Sequence, residues 1–368
     1  MFHDLAPRMA EVITGYSTRI KEGDYVVLLG PVTAAPLLEA LYEAVIRRGG
    51  NPQVQLQLPG LDEFYLQNAT DAQLAFVNPT HEVWVGSVDV YIHIDGPTNP
   101  KALSGIDASR LAKRQHAQRH LSALLFKRLE DPAYRYLYAL WPTDAAAQEA
   151  IMGLRAYQQF VYHACALDQP DPVAYWRQVR ARQERLVEWL ADKSHAEVRG
   201  PGIDLSFDFG GRTWISCHGD MNFPDGEIYT GPIEDSVSGT VEFSYPSIYN
   251  GVEVDGIKLR FQEGAVVEAS AAKGEPTLLS QLDLDVGARR LGEFAIGTNF
   301  GVDRYTGNTL FDEKIGGTIH LALGASIPDS KGVNQSSVHW DIVHGMQQGG
   351  EIWIDGELFY RAGEFLVG

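Results

Sequence analysis

The first 140 residues alternate short apolar runs with segments of helical periodicity. DYVVLLG (24–30), VQLQL (54–58) and VDVYIHID (88–95) are typical of strands, and TAAPLLEALYEAVIRRGG (33–50) has apolar residues at helical spacing. Weaker strands are predicted at LSALLF (121–126) and YRYLYALWP (134–142). This repeated strand–helix–strand order constrains the fold strongly, because parallel strands need a long, usually helical, crossover. It predicts a mainly parallel sheet covered by helices.

The pattern changes after residue 140. AAAQEAIMGLRAYQQFVYHACAL (145–167) and VAYWRQVRARQERLVEWLADKS (173–194) each predict one amphipathic helix. From GPGIDLSFDFGGRTW (200–214) onward, short alternating strands and turns are typical of antiparallel sheet. We therefore predict an α/β protein. It would have an N-terminal α/β domain over residues 1–195 with a mainly parallel sheet, and a C-terminal α+β domain over residues 196–368 rich in antiparallel strands.

The charge balance limits the partners of the chain. It contains 48 Asp and Glu against 30 Lys and Arg, a formal net charge of −18. Nucleic acid is not an expected partner, because binding phosphates requires a cationic surface. The basic run RLAKRQHAQRH (110–120) is interpreted as the solvated face of a helix. No run approaches 18 apolar residues without a charge, so no membrane-spanning segment is expected.

The two cysteines, Cys165 and Cys217, are too few for a disulfide framework. Reduced thiols are typical of cytoplasmic proteins. The first residues lack a basic stretch followed by an apolar core, so no signal peptide is predicted. These features together predict a cytoplasmic location.

The stretch SSVHWDIVHG (336–345) combines imidazole and carboxylate groups. In a strand, residues two apart point to the same face, so His339 and Asp341 would project together and Trp340 would point away. Such a couple can bind a metal, transfer protons or simply share a hydrogen bond. His344 falls off this face by parity and is interpreted as a structural histidine or one at the rim of the site.

Three further polar residues interrupt apolar runs. Glu227 follows the turn Pro224-Asp225-Gly226, Glu293 lies in RRLGEFAIGTN (289–299), and His320 lies in DEKIGGTIHLALG (312–324). Taken singly, they could be a surface acid after a turn, the solvent-facing acid of an edge strand and a satisfied core histidine.

Taken with His339 and Asp341, they form a set of two histidines and three carboxylates. This set suits Zn, Mn, Co or Fe. With one bridging carboxylate it fits two metal ions, which could activate water and polarise a carbonyl while a remaining carboxylate carries protons.

Four blocks, NFPDGEIYTGP, RRLGEFAIGTN, DEKIGGTIHLALG and SSVHWDIV, resemble in this order the signature blocks of the aminopeptidase T family of metallopeptidases (M29). GDYVVLLG, LWPTDAAAQEAIMG and DGELFYRAGEF extend the likeness over most of the chain. The resemblance implies a cytoplasmic, homodimeric aminopeptidase with two divalent metal ions (Zn, Co or Mn) that removes N-terminal residues from peptides. It implies the metal ligands Glu227, Glu293, His320, His339 and Asp341. Glu227 and Glu293 are also the predicted catalytic residues.

The chain departs from the family at one position. Ile327 stands where the family usually has a tyrosine that is thought to assist catalysis. Activity could be weaker, the substrate could differ, or Tyr305 or His344 could substitute. The sequence offers no ground for choosing among these.

Two other functions are compatible with part of this set. His320, His339 and Asp341 alone would make the two-histidine, one-carboxylate triad of a mononuclear non-haem iron ring-cleaving dioxygenase, and such enzymes resemble distant relatives of the family. Retention of Glu227 and Glu293 argues against it, because a triad leaves both acids without a role. A non-enzymatic binding protein is also possible from fold alone, but buried acids without a cation would destabilise it.

Overall fold

The computed structural model describes residues 4–129, 131–249 and 251–367, which form two compact units. The first unit contains the residues up to Val173 together with Gly219–Pro224. The second contains Ala174–His218 and the residues from Asp225 onward. The contact division thus falls 22 residues before the boundary that the sequence suggests near residue 195, which stays a prediction for independently folding domains.

Most of the α-helices lie in the first unit. Short 3₁₀ turns occur at Val32–Ala34 in the first unit and at Val286–Arg289 and Pro328–Ser330 in the second, and a π-turn occurs at Ile13–Ser17. The α-helices are α1 (Leu5–Val12), α2 (Ala35–Arg47), α3 (Leu61–Asn68), α4 (Asp71–Ala75), α5 (Pro79–Ser87), α6 (Ala108–Leu129), α7 (Asp144–Glu149), α8 (Leu154–Ala164), α9 (Pro172–Leu190), α10 (Glu275–Leu282) and α11 (Thr309–Asp312).

The strands lie mostly in the second unit. They are β1 (Tyr25–Pro31), β2 (Asn51–Gln57), β3 (Val90–Asp95), β4 (Arg135–Leu140), β5 (His195–Gly200), β6 (Ile203–Asp208), β7 (Ile215–Cys217), β8 (Asn222–Phe223), β9 (Glu227–Thr230), β10 (Ser238–Glu242), β11 (Ser247–Tyr249), β12 (Val252–Val254), β13 (Lys258–Gln262), β14 (Ala265–Ser270), β15 (Leu291–Gly297), β16 (Thr318–Gly324), β17 (His339–Gly345), β18 (Glu351–Ile354), β19 (Glu357–Arg361) and β20 (Glu364–Phe365).

The first unit is built on a parallel sheet of order β2-β1-β3-β4-β8. β1 is largely buried on both faces, which is why its sequence is a continuous apolar run, whereas β3 alternates the buried Val90, Ile92 and Ile94 with half-buried residues. β2 is an edge strand, and Leu56 on it is 56% exposed. The predicted parallel sheet covered by helices is confirmed.

Two local predictions in this unit are wrong. LSALLF (121–126) lies inside α6 and not in a strand, because the good helix formers around it continue without a glycine or proline. The single helix predicted for residues 145–167 is broken into α7 and α8. Ile151 between them adopts a positive φ of 55°, which no helix accommodates.

The second unit contains two larger sheets, both antiparallel. One has eight strands in the order β14-β13-β10-β6-β5-β18-β19-β20, and the other has five in the order β17-β16-β15-β9-β7. We call the second one the five-stranded sheet. β11 and β12 form a separate hairpin. The antiparallel C-terminal half is confirmed, and α9, which the contacts assign mostly to this unit, contributes Leu186 and Leu190 to its core.

Alternation along the five-stranded sheet separates an apolar face from a polar one. The apolar face belongs to the main hydrophobic core of the unit and includes Ile228, Phe294, Ile296, Ile319, Leu321, Leu323, Trp340 and Ile342. By the period of two, the residues between them project from the opposite face. That opposite face carries the five polar residues singled out in the sequence.

A β-bulge in β15 sets the direction of one of these residues. Leu291 pairs with Leu323, but Glu293 pairs with the adjacent Ala322, so the extra residue is Gly292. Leu291 therefore faces the core, and Glu293, two positions later, faces the opposite side. A Cβ on Gly292 would overlap the carbonyl oxygens of Gly324 and Ala325.

In the part of the chain that the structure describes, no helix combines the length and the apolar composition needed to cross a bilayer.

Candidate metal centre

The five predicted side chains come together on one face of the five-stranded sheet. Glu227 begins β9, Glu293 lies on β15, His320 lies on β16, and His339 and Asp341 lie on β17. These strands are consecutive neighbours in the sheet, so residues distant in sequence become adjacent across it. The alternative interpretation of Glu293 as a solvent-facing acid of an edge strand is wrong, since β15 lies between β9 and β16.

Glu293 is at the centre of the cluster. Its Oε1 is 3.3 Å from Nε2 of His320, and its Oε2 is 3.6 Å from Nε2 of His339. Oε2 of Glu227 is 3.3 Å from Nε2 of His320. Oδ1 of Asp341 is 3.7 Å from Nε2 of His339 and 4.0 Å from Nε2 of His320. One glutamate therefore spans both imidazoles, with a second carboxylate beside each of them.

The His-x-Asp pair adopts the arrangement expected of a strand. Trp340, between the two residues, is buried on the core side, where its Nε1–H donates to Oγ of Ser247 and its ring stacks on Tyr249. His339 and Asp341 therefore project together, and Trp340 anchors the strand that carries them.

The orientation of His339 suits a metal ligand. Its Nδ1 lies 2.8 Å from the carbonyl oxygen of Ala325 and, as the N–H donor, would leave Nε2 with its lone pair toward Glu293 and Asp341. Its side chain is 34% exposed, whereas that of His320 is 1% exposed. The cluster is consequently open to solvent on the side of His339.

The cluster attracts positive charge. Burial disfavours a charge on either imidazole, but the neighbouring carboxylates outweigh it. The charges of Glu227 and Glu293 and the hydrogen bond to Glu293 raise the pKa of His320 to about 10. The charges of Asp341 and Glu293 raise the pKa of His339 to about 9. A divalent cation would supply the same compensation and displace these protons.

The carboxylates themselves differ. Burial raises the pKa of Glu227 and of Asp341, although adjacent cationic groups oppose this effect. For Glu293 burial acts in the same direction, but the hydrogen bond and charge of His320 hold its pKa below the ordinary value. The central glutamate is thus the one most favoured as an anion.

The donor atoms fit a metal centre. Two groups of three, Glu227–Glu293–His320 and Glu293–His339–Asp341, each place their ligand atoms within 4.8 Å of one another and share Glu293. Oε2 of Glu227 is buried and makes no hydrogen bond to any described residue. A buried carboxylate oxygen without a hydrogen bond is costly, and a cation would satisfy it. Imidazole and carboxylate are ligands that Zn, Co and Mn accept.

Three further charged residues border the cluster, and the sequence did not single them out. Glu313 can form a group with His320 and Asp341, and Asp225 one with Glu227 and Cys217. Lys314 is fully buried beside them. All three residues lie inside sequence blocks quoted above. Charged side chains are usually solvated, so the sequence gives no signal that these three lie against the cluster.

The two candidates to replace the tyrosine absent at Ile327 occupy different places. His344 is buried on the opposite side of β17, where Nε2 lies 3.1 Å from the carbonyl oxygen of Pro201 and its ring packs against Phe243. It is therefore structural, as its parity predicted. Tyr305 lines a narrow cleft together with Asp341, and its ring stacks on Tyr245. Of the two, only Tyr305 lies on the side of the cluster.

Comparison with known proteins gives a consistent result. The sequence profile of the family described as thermophilic metalloprotease (M29) matches residues 2–365. Aminopeptidase 2 of Geobacillus stearothermophilus is 29% identical, with 92% of this chain and 91% of that protein covered. Aminopeptidase T of Thermus aquaticus is 28% identical, with 95% and 94% covered.

Two solved structures resemble the fold over nearly the whole chain. Wild-type AmpT from Thermus thermophilus superposes with a TM-score of 0.88 at 23% identity, covering 100% of both chains. The 2,5-dihydroxypyridine dioxygenase of Pseudomonas putida KT2440 superposes with a TM-score of 0.59 at 13% identity, covering 99% of this chain and 97% of the other. At these identities the likeness concerns the fold alone.

Proposed function

The chain belongs to the M29 family of thermophilic metalloproteases, and we propose that it is an aminopeptidase that removes N-terminal amino acids from peptides with a water activated by two divalent metal ions. The names of the relatives support the substrate class, since they are aminopeptidases. One observation carries the two-metal part of the proposal: the two oxygens of Glu293 face one imidazole each, His320 and His339.

The ligands divide into two sets around that shared glutamate. Glu227 and His320 would complete one cation position with Glu293, and His339 and Asp341 the other. Divalent ions bound there would lower the pKa of a bound water and polarise the scissile carbonyl. Zn, Co and Mn are the ions this donor set suits.

The reaction also requires proton transfer and recognition of the N-terminus of the substrate. Glu227 and Glu293 are the proposed proton carriers between the attacking water and the leaving amine, because carboxylate oxygens in the cluster each keep more than one lone pair. The excess of carboxylates also suits a protonated α-amino group, which identifies the N-terminus of a peptide. The exposed edge of His339 is the side from which a peptide would approach.

The dioxygenase alternative is not favoured. It needs His320, His339 and Asp341 alone, yet Glu227 and Glu293 lie within 3.6 Å of these imidazoles and are buried. A single iron on the triad would leave Glu293 without a metal, and Glu227 with only the ammonium of Lys314 as a counter-charge. The likeness to the dihydroxypyridine dioxygenase concerns the fold.

Metal analysis combined with a substrate panel tests the proposal. We expect about two divalent ions per chain and release of p-nitroaniline from aminoacyl p-nitroanilides. Both should be lost in Glu293→Gln, which removes the shared carboxylate. Glu268→Gln is the matched control, because Glu268 pairs with Arg260 at the surface.

A protein that takes up no divalent ion, or hydrolyses no substrate with Zn, Co or Mn, would contradict the proposal. One iron per chain together with oxygen consumption on a dihydroxypyridine would establish the dioxygenase instead. The homodimer and the cytoplasmic location implied by the family resemblance stay predictions, as does the choice among the three metals.

A further inference from the structure

Lys314 is a fully buried lysine at the edge of the metal cluster. It follows α11, and its Nζ lies 2.6 Å from Oε1 of Glu227 and 2.7 Å from Oε1 of Glu313. Oδ1 of Asp225 is 3.7 Å away. Its side-chain exposure is 0%, and lysine is rarely buried to this extent unless it is paired. The pairing here is with a proposed metal ligand.

The two oxygens of Glu227 therefore have different surroundings. Oε1 accepts a charge-assisted hydrogen bond from Lys314. Oε2 makes no hydrogen bond to any residue the structure describes and points to within 3.3 Å of Nε2 of His320. A carboxylate held at one oxygen cannot rotate freely about its last bond. Lys314 thus sets which oxygen of Glu227 faces the cation position.

The charge of the cluster agrees with this arrangement. Five carboxylates belong to the cluster: Asp225, Glu227, Glu293, Glu313 and Asp341. With one ammonium and two neutral imidazoles, the net formal charge is minus four, which two divalent cations neutralise. The ammonium of Lys314 also lies near the carboxylates of Asp225 and Glu227, where its positive charge takes the role that a further metal ion would have.

We propose that Lys314 is a positioning residue of the metal centre, which holds Oε1 of Glu227 so that this glutamate presents only Oε2 to a metal ion. The inference rests on the proposed function, because it assumes that Glu227 is a ligand. Hydrogen bonds to metal-binding carboxylates orient them, and their removal typically weakens metal affinity by about 10- to 100-fold.

A contribution to stability alone is a weak explanation for this lysine. Replacing a buried ion pair by apolar groups of similar volume is often neutral or stabilising. Met has nearly the length of Lys and no charge. A charge-balanced pair of substitutions, Lys314→Met with Glu313→Gln, removes one positive and one negative charge and keeps the net charge of the cluster.

The test measures the affinity for Zn²⁺ by competition with a chromogenic chelator. The proteins are wild type, Glu313→Gln and the double variant, with Lys258→Met as a control for charge. Lys258 pairs with Glu242 at the surface of the same unit. We expect the double variant to bind the tighter ion about 10- to 100-fold more weakly than Glu313→Gln does. Lys258→Met should match wild type.

The sign of this change separates two explanations. Removing an ammonium beside a cation site should tighten cation binding if only charge matters. Weaker binding indicates lost orientation. A second readout is the visible absorption of bound Co²⁺, which we expect to differ from wild type in Lys314→Met, because the ligand arrangement changes, and to be unaltered in Lys258→Met.

Each outcome is informative. If wild type binds Zn²⁺ and the double variant binds it as tightly as Glu313→Gln does, only the role of Lys314 is overturned. An unaltered Co²⁺ spectrum in Lys314→Met, or failure of both Lys314 variants to fold, would likewise make it a structural residue. If wild type itself takes up no divalent ion, the proposed function fails and this assignment fails with it.

Discussion

At the scale of residues, two positions matter most for the proposed chemistry: Glu293 and Ile327. The carboxylate of Glu293 has one oxygen near each imidazole, so no other single residue of the cluster can link the two histidines in this way. Ile327 offers no hydroxyl where the family resemblance implies a tyrosine. Of the two replacements that the sequence suggested, only Tyr305, which lines the cleft beside Asp341, is on the side of the cluster and carries a phenol. The ring stack with Tyr245 holds it there.

The prediction at this scale concerns that phenol. Tyr305→Phe keeps the ring and its stacking, and we expect kcat for a leucine p-nitroanilide to fall about 100-fold while KM changes little. The physical reason is the loss of one hydrogen-bond donor to the oxyanion of the transition state. Steady-state kinetics on metal-loaded protein measures this.

Tyr245→Phe is the matched control, because it alters the other ring of the same stack. It should leave kcat near the wild-type value. Equal kcat in Tyr305→Phe and wild type would show that the reaction proceeds without this phenol.

At the scale of elements, the bulge in β15 places the central carboxylate. If Gly292 were paired in regular register and β15 had no bulge, strict alternation would put Glu293 on the same side as Leu291, toward the hydrophobic core. The bulge reverses the direction between these two residues. Its glycine lies against the carbonyl oxygens of Gly324 and Ala325, which leave no room for a side chain.

Gly292→Ala should therefore damage both the strand and the metal centre. We expect a loss of about 1–3 kcal/mol in the free energy of unfolding, because the added methyl must displace backbone atoms. The bound metal should also decrease, since Glu293 shifts. Denaturant unfolding and metal analysis of the same preparation measure the two effects.

Gly153→Ala is the control for this substitution. Gly153 has a φ of −74°, and a Cβ there would meet no described atom within 4 Å. It should unfold within about 0.5 kcal/mol of wild type. A Gly292→Ala protein with wild-type stability and metal content would mean that β15 tolerates the side chain without moving Glu293.

At the scale of the whole molecule, the two units have different sources of stability. The second contains the cluster of buried carboxylates, which repel one another when no cation is bound. The first contains a nearly buried ion pair instead, in which the guanidinium of Arg135 donates to both oxygens of Asp24 at 2.8 and 2.9 Å. Removal of the metal should therefore act on the second unit, and the ion pair should give the first unit a pH dependence of its own.

Chelation should destabilise the second unit selectively. A ligand at 100 times its Kd stabilises the folded state by about 2.7 kcal/mol, and removal of the metal loses this contribution. We expect amides of β9, β15, β16 and β17 to exchange hydrogen faster after treatment with EDTA. Amides of β1 and β3 should be unchanged.

Hydrogen exchange followed by mass spectrometry distinguishes the two regions. Readdition of Zn²⁺ should restore the slow exchange. Equal acceleration in both units would contradict the separate origin of their stability.

The Asp24–Arg135 pair gives a prediction for pH. Burial alone would raise the pKa of Asp24, but the hydrogen bonds and charge of Arg135 and the backbone N–H of Lys21 hold it below the ordinary value. A lowered pKa stabilises the fold above the pKa of the unfolded chain, about 3.9, and this contribution is lost as the pH falls through the folded pKa.

Asp24→Asn should then cost about 1.5–3 kcal/mol at pH 7, and its difference from wild type should shrink below about pH 4. Hydrogen exchange of β1 amides as a function of pH measures it. Asp71→Asn is the control, since Asp71 pairs with Lys113 at the surface, where solvent screens the pair, and the substitution should leave stability nearly unchanged. A constant difference down to pH 2 would contradict this account.

Much of the fold and of the centre follows from sequence patterns, because strand and helix periods are local properties of the chain. The apolar runs at 24–30 and 88–95 predicted the parallel strands β1 and β3. The pair His339 and Asp341 shares a face because residues two apart always do so in a strand. The single helix over 145–167 and the strand at 121–126 were wrongly predicted, because the chain breaks at Ile151 and because the helix formers around 121–126 outweigh the local pattern.

The amino-acid sequence by itself determined the strand and helix periods, the acidic balance and the five side chains that can bind a metal. Only the tertiary structure decided that β9, β15, β16 and β17 lie side by side, that a bulge directs Glu293 away from the core, and that Lys314 is buried against Glu227. The reason is physical. Periodicity depends on the geometry of consecutive residues, whereas strand order, bulges and the burial of a charge depend on contacts between residues far apart in the chain.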